Sequence, residues 1–181
     1  MSKLTDHIRI YDIVFPPNFL NDLLQEFGSH FTHAIVQREK DCGINLKVRN
    51  CFFSQVTNHT EKQRMLDNII YEQIWSILEQ YVTHYKNFHI NNDTGYSLLK
   101  YETGGFYTQH VDIDRQNTRV LSISIQLNDD FEGGEFSFFN DSYKVRLKKN
   151  QAICFPSNFL FPHAINKVTK GIRYAIITWV N

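Results

Sequence analysis

Hydrophobic residues recur with helical spacing in the first half of the chain and with a two-residue period from Tyr96 onward. Ile8 to Val14 reads as a first strand. Pro16-Pro17-Asn18 then leads into a helix whose apolar positions, Phe19, Leu20, Leu23, Leu24 and Phe27, share one face, with Gly28 just past its end. Residues 37–50 are charged and contain Cys42-Gly43, which predicts a loop with hairpin character. A second helix begins after Thr60 and buries Leu66, Ile69, Ile70, Ile74, Ile77 and Leu78 over roughly six turns. Asn91-Asn92-Asp93-Thr94-Gly95 is turn chemistry.

Beyond that turn, short strands are predicted at 96–101, 106–112, 118–127, 135–140, 143–147, 151–155, 161–167 and 172–180. Gly-Gly, Asn-Asp or Pro punctuates them. Such a run of strands after two helices predicts a mainly β protein with supporting helices (α+β). Its core would be a double-stranded β-helix, or jelly roll, with the N-terminal helices on its outer face. No repeat, linker or low-complexity segment interrupts the chain. Residues 1–181 therefore read as a single domain, with 1–95 as the supporting layer and 96–181 as the core.

Charge and composition narrow the function classes. The 19 Lys and Arg balance the 19 Asp and Glu, so no basic field draws nucleic acid, which is not expected as a partner. Fifteen Phe and nine Tyr suit strands around an aromatic-lined cavity. No apolar run reaches the length of a membrane span, and Met1 to Asp6 carries no apolar signal core, so no membrane is expected. Cys42, Cys51 and Cys154 are odd in number and lack CxxC spacing. A disulfide scaffold or zinc site is not expected, and a reducing cytoplasm fits. Cys154 lies in an apolar strand and reads as packing. The sequence sets no oligomeric state.

The candidate chemistry lies in Tyr101-x-x-Gly104-x-x-Tyr107-x-x-His110-x-Asp112, followed far downstream by His163 and Arg173. Side chains alternate along a strand, so His110 and Asp112 point the same way and can share one metal. With His163 they can occupy one face of an iron atom and leave three positions open, as in non-heme Fe(II) oxygenases. A positive charge at Arg173 suits a dicarboxylate, because a buried arginine without a carboxylate partner is costly. Taken alone, Arg173 reads rather as a surface cation paired with a neighbouring acid.

His-x-Asp by itself is weak evidence, since eight His and eleven Asp give about half such a pair by chance. His59-x-Glu61 looks similar, but Thr60 reads as a helix cap with Glu61 at the positive helix end. Leu121, Ile123, Ile125 and Leu127 alternate with Ser122, Ser124 and Gln126. The apolar set would pack under the helices and the polar set would line a cavity, or else face solvent. Arg173, Ala175, Ile177 and Trp179 share one face of the last strand, where Arg173 could reach the cavity floor and Trp179 close its wall.

From Leu99 to Val180 the chain resembles the Fe(II)/2-oxoglutarate-dependent dioxygenases, in the prolyl 4-hydroxylase-like branch. The resemblance rests on the Tyr101 to Asp112 motif, on Phe131-Glu132-Gly133-Gly134-Glu135-Phe136, and on His163, Arg173 and Trp179 in the same order. It implies that His110, Asp112 and His163 are the catalytic ligands of Fe(2+). Arg173 would bridge the distal carboxylate of 2-oxoglutarate and Tyr101 would hydrogen-bond it. Gln126 stands where some relatives place a tyrosine touching that carboxylate, and Ser124 and Trp179 complete the implied co-substrate pocket. O2 is the second co-substrate and L-ascorbate an optional reductant.

Retention of Asp112, which the related halogenases lose, favours hydroxylation. The implied substrate is a peptide or protein at a prolyl residue. The alternatives are a free amino acid or small molecule, or a jelly-roll module that binds a ligand without turnover. On the substrate side this chain departs from the pattern. Asn181 stands where many relatives carry a peptide-contacting His, and Arg49-x-Cys51 replaces an Arg-x-Ser, so that Arg49 reads as a solvated charge. The segment from Arg38 to Arg49 is either a lid or a surface loop. Lys144, Arg146 and Lys148 read as an exposed strand face. The second arginine usual after the co-substrate arginine in the nucleic-acid demethylases of this superfamily is absent from Arg173 to Trp179.

Overall fold

Two prolines end the first strand and open the first helix, because neither can donate to a sheet ladder and both suit a helix entrance. The computed structural model describes residues 3–37, 42–85, 90–113 and 118–181. The N-terminal part contains β1 (Arg9–Asp12), α1 (Phe19–Phe27), β2 (Thr32–His33), β3 (Val36–Gln37) and β4 (Cys42–Gly43). It continues with β5 (Arg49–Asn50), β6 (Phe52–Gln55) and α2 (Glu61–Val82). The C-terminal part runs through β7 (Ser97–Tyr101), β8 (Phe106–His110), β9 (Leu121–Gln126), β10 (Glu132–Gly133) and β11 (Phe136–Phe138). It ends with β12 (Tyr143–Val145), β13 (Gln151–Pro156), β14 (His163–Ile165), β15 (Val168–Lys170) and β16 (Arg173–Val180).

These strands make a seven-stranded sheet in the order β1-β13-β9-β16-β7-β6-β2 and a five-stranded sheet in the order β12-β11-β14-β8-β5. Two ribbons, β10-β15 and β3-β4, stand outside them. The arrangement is the expected mainly β jelly roll with supporting helices.

Each helix forms for the reason its pattern suggests. Thr60 caps α2, its side chain accepting a hydrogen bond from the Gln63 backbone N–H at 3.2 Å. Leu66, Ile70, Ile74, Ile77 and Leu78 of α2 are buried in one cluster with Phe19, Leu23 and Phe27 of α1. Leu121, Ile123, Ile125 and Leu127 belong to the same cluster, so the apolar stripe of β9 packs under the helices. Burying each such side chain contributes about 1.5–3 kcal/mol. This clamps the helices to the outer face of the larger sheet and leaves its inner face free.

A second, more aromatic core lies between the sheets. Phe136, Phe138 and Phe155 meet there with Leu99, Ile153 and Ile165. Phe138 and Phe155 pack edge-on, with centroids 5.0 Å apart. These rings fill one part of the space between the sheets and leave another open.

Several short strands were not legible in the sequence, β2 among them. Ribbon β10-β15 and strands β5 and β6 are too short to show a period, and β6 forms because its Phe52 to Gln55 ladder pairs with β7. The hairpin character of residues 37–50 is realised as β3 pairing with β4. Residues 38–41, on which the lid reading of Arg38 to Arg49 largely falls, lie outside the described residues. Arg146 does not simply point to solvent. It donates to the carbonyls of Phe131 and Gly133 at 2.6 and 2.9 Å and so ties β12 to the glycine turn. Among the described residues, no helix is long and apolar enough to cross a membrane.

That turn shows why Gly133-Gly134 is needed. Both residues have positive φ, 73° and 68°. A Cβ on Gly133 would overlap the Lys167 carbonyl, and one on Gly134 would lie 3.0 Å from Cδ of Arg173. Gly133→Ala should therefore lower stability by about 1–3 kcal/mol, read as a shift of the urea midpoint. An unshifted midpoint would show that the turn relaxes freely.

Candidate metal and anion site

His110 ends β8 and His163 begins β14, and the two are register partners across that strand pair. Each ring is aimed by its own backbone. Nδ1 of His110 lies 2.9 Å from the Thr108 carbonyl, and Nδ1 of His163 lies 3.1 Å from the Phe161 carbonyl. A carbonyl only accepts, so each Nδ1 is the donor of its pair, and each Nε2 is turned toward Asp112. Phe161-Pro162 supplies the carbonyl that turns His163.

Asp112 follows β8 and reaches between the two rings. Its Oδ1 is 3.4 Å from His110 Nε2 and its Oδ2 is 3.6 Å from His163 Nε2. The Ser122 hydroxyl of β9 donates to Oδ2 at 2.5 Å and contacts the Ser157 hydroxyl at 2.8 Å. Burial alone would raise the Asp112 carboxyl, but His163, His110 and Ser122 outweigh it and hold the group well below the usual carboxylate range. Burial and the neighbouring His110 push His163 down to about 4, so its ring is neutral at pH 7.

The three ligand atoms lie within 4.8 Å of one another. Two imidazole nitrogens and a carboxylate thus converge on one point. A divalent cation resolves that arrangement, and the His, His, Asp donor set suits iron.

The other sheet supplies the opposite charge. Arg173 of β16 and Tyr101 of β7 are register partners. Arg173 is 1% exposed, and its Nε and Nη2 have no hydrogen-bond partner. Its guanidinium carbon stands 5.3 Å from the Tyr101 ring and 5.5 Å from the Phe136 ring. Burial lowers its pKa from the ordinary value, yet an arginine does not give up its charge in a protein. The solvated, acid-paired alternative for Arg173 is thereby removed. A buried guanidinium with open donors is a seat for an anion. Burial also raises the Tyr101 hydroxyl, keeping it a neutral donor beside that seat.

One cavity of about 320 Å³ joins the two ends, at the small end of the range for ligand sites of roughly 300–1,000 Å³. His110, Asp112, His163, Arg173, Tyr101, Ser124 and Trp179 all line it. Gln126 does not. Its side-chain amide donates to the carbonyls of Asn128 and Tyr174 at 3.0 and 2.9 Å, which closes the end of β9 against β16. Strand alternation sets the face of the sheet a residue occupies, but not whether the cavity extends as far as that residue.

Sequence reasoning passed over two wall residues. Arg119 donates to the Asp112 carbonyl at 3.1 Å and lies 3.7 Å from the Trp179 ring centroid. It falls inside the strand predicted over 118–127, where its parity with Leu121 assigns it to the apolar face, but β9 begins only at Leu121 and alternation does not hold for Arg119. Arg49, read as a solvated charge, instead lines the cavity.

A sequence model described as the 2OG-Fe(II) oxygenase superfamily matches residues 96–181. Over 90 residues the chain is 37% identical to a PKHD-type hydroxylase of Idiomarina loihiensis, covering 46% of this chain and 40% of that protein. Over 66 residues it is 39% identical to prolyl 3-hydroxylase 2 of Homo sapiens, covering 34% of this chain and 9% of that protein. The chain thus spans about two fifths of the length of the first of these relatives. The fold is similar to that of a Trichoplax adhaerens prolyl hydroxylase solved with a hypoxia inducible factor peptide. There the TM-score is 0.79 at 16% identity, over 97% of this chain and 84% of the other. A Pseudomonas putida prolyl-4-hydroxylase superposes with a TM-score of 0.72 at 15% identity, over 97% and 92% of the two chains.

Ser122→Ala should remove the hydroxyl that orients Asp112 and weaken divalent metal binding by about 10–100-fold. Calorimetric titration with Mn(II) measures this, and unchanged affinity would show that Asp112 is held by other contacts.

Proposed function

With residues 96–181 matched by the 2OG-Fe(II) oxygenase superfamily model, we propose that this chain is such an oxygenase and hydroxylates a C–H bond of a prolyl residue in a peptide or protein. The balanced reaction is R–H plus 2-oxoglutarate plus O2, giving R–OH plus succinate plus CO2. We take residues 1–181 as one such catalytic domain. One observation carries the reading: a single cavity has a cation-seeking donor set at one end and an unpartnered buried guanidinium at the other.

Each end has a task. His110, Asp112 and His163 would hold Fe(2+). Bound iron supplies the redox centre for O2 activation and the oxidative loss of CO2 from 2-oxoglutarate. Arg173 would bind the distal carboxylate through its open Nε and Nη2, with the Tyr101 hydroxyl beside it and Ser124 on the adjoining strand. Gly134 leaves room for the Arg173 stem. Phe136 and Trp179 wall the cavity against water, and Arg119 stacked on Trp179 braces that wall. Ser122 aims Asp112 through its hydrogen bond to Oδ2.

L-ascorbate would serve as the reductant that maintains ferrous iron. The described cysteines Cys51 and Cys154 are free and buried, which suits a reducing compartment such as the cytoplasm.

The test is an anaerobic titration with Fe(II) and 2-oxoglutarate, following the visible metal-to-ligand charge-transfer band. The band should require both ligands and be absent in His110→Ala. Arg173→Ala should raise the 2-oxoglutarate concentration needed by about 30-fold or more, as expected for losing one member of a buried charge pair. A folded wild-type protein that shows no band would sink the proposal.

A further inference from the structure

The cavity wall holds a cation for which the co-substrate has no use. Arg49 lies on β5, opposite Tyr107 of β8. Its guanidinium carbon is 4.6 Å from the Tyr107 ring centroid, and that ring stacks on His110 at a centroid distance of 3.5 Å. Nε donates to Cys51 Sγ at 3.2 Å and Nη1 to the Ile35 carbonyl at 3.4 Å. These partners are a thiol, a carbonyl and a phenol ring. Among the described residues, no carboxylate pairs with Arg49.

Charge and position within the cavity together single out this residue. The charge of Fe(II) would be answered by Asp112, the one carboxylate among the described lining residues, and by the keto-acid carboxylate of 2-oxoglutarate. Arg173 would be answered by the distal carboxylate. Arg119 is committed to the Asp112 carbonyl and the Trp179 ring. Arg49 is left over, half-buried in the wall, and a ligand that displaces its water makes its charge costlier unless a counter-charge arrives.

Position separates this counter-charge from the co-substrate. Arg173 is 1% exposed on the seven-stranded sheet, whereas Arg49 sits on the edge strand of the other sheet under Ile35, which is 47% exposed. Arg49 therefore stands toward the mouth, where a substrate enters.

We propose that Arg49 receives a carboxylate of the substrate, so that the preferred substrate carries an acidic group beside the carbon that is hydroxylated. This rests on the oxygenase reading of the site. The carboxylate has two sources, an acidic side chain next to the target residue in a peptide or the terminal carboxylate of a small acid.

The experiment uses the intact chain loaded with Mn(II) and saturating 2-oxoglutarate. It measures the paramagnetic relaxation of proline ring protons in three probes. N-acetylproline carries a terminal carboxylate, N-acetyl-prolyl-aspartamide a side-chain carboxylate, and N-acetyl-prolyl-asparaginamide none. At least one acidic probe should be relaxed about tenfold more than the neutral one, as for a charge-assisted contact, and the favoured probe identifies the source. Arg49→Gln should abolish the advantage and Arg49→Lys should restore part of it. Equal relaxation of all three probes, none of any, or an advantage that survives Arg49→Gln would overturn the proposal.

The Fe(II) and 2-oxoglutarate band is measured alongside. Its absence from the wild type would instead refute the oxygenase reading. Its loss only in Arg49→Gln would assign Arg49 to the co-substrate and overturn the proposal. Its retention shows a folded variant with an intact co-substrate seat.

Discussion

Unmatched charge at the two ends of one cavity is the constraint around which this molecule is arranged. At one end Asp112 and two imidazole nitrogens converge. At the other Arg173 is buried with open donors. The first is a seat for a cation, and the second, a desolvated guanidinium, wants an anion. Packing elsewhere must hold both in place. The aromatic core between the sheets and the helical layer behind the larger sheet provide that stability, and neither contributes a ligand atom.

The division of labour follows the two sheets. The five-stranded sheet carries His110 and His163 as register partners, while the seven-stranded sheet carries Arg173 opposite Tyr101. Asp112 is the link, on the chain that leaves β8 and hydrogen-bonded to Ser122 of β9. Separation of the sheets thus sets the distance between cation site and anion seat. A co-substrate with charged groups at both ends suits two such seats in one cavity, and Gly134 keeps the Arg173 end clear.

Much of this was legible in the amino-acid order. Helical spacing located α1 and α2, Thr60 announced its cap, and alternation placed Leu121, Ile123 and Ile125 under the helices. The same alternation put His110 and Asp112 on one side and Arg173, Ile177 and Trp179 on another common face, as their shared cavity shows. Gln126 marks where that logic stops. It has the same parity as Ser124, but its amide is consumed by the backbone at the end of β9. Arg49 lies in a segment with no sustained period and Arg119 stands just before β9, so local pattern could not separate a cavity wall from a solvated surface.

By itself, then, the sequence determined which residue types could bind a metal and an anion, and which side of its strand each would take. Both follow from side-chain chemistry and a period of two, which are local properties. Only the tertiary structure decided that His163 stands opposite His110, that Ser122 grips Asp112, that Arg173 lacks a protein counter-charge and that Arg49 faces the cavity. Those facts depend on strand register and on the gap between two sheets, and residues more than fifty positions apart meet there only after the chain has folded.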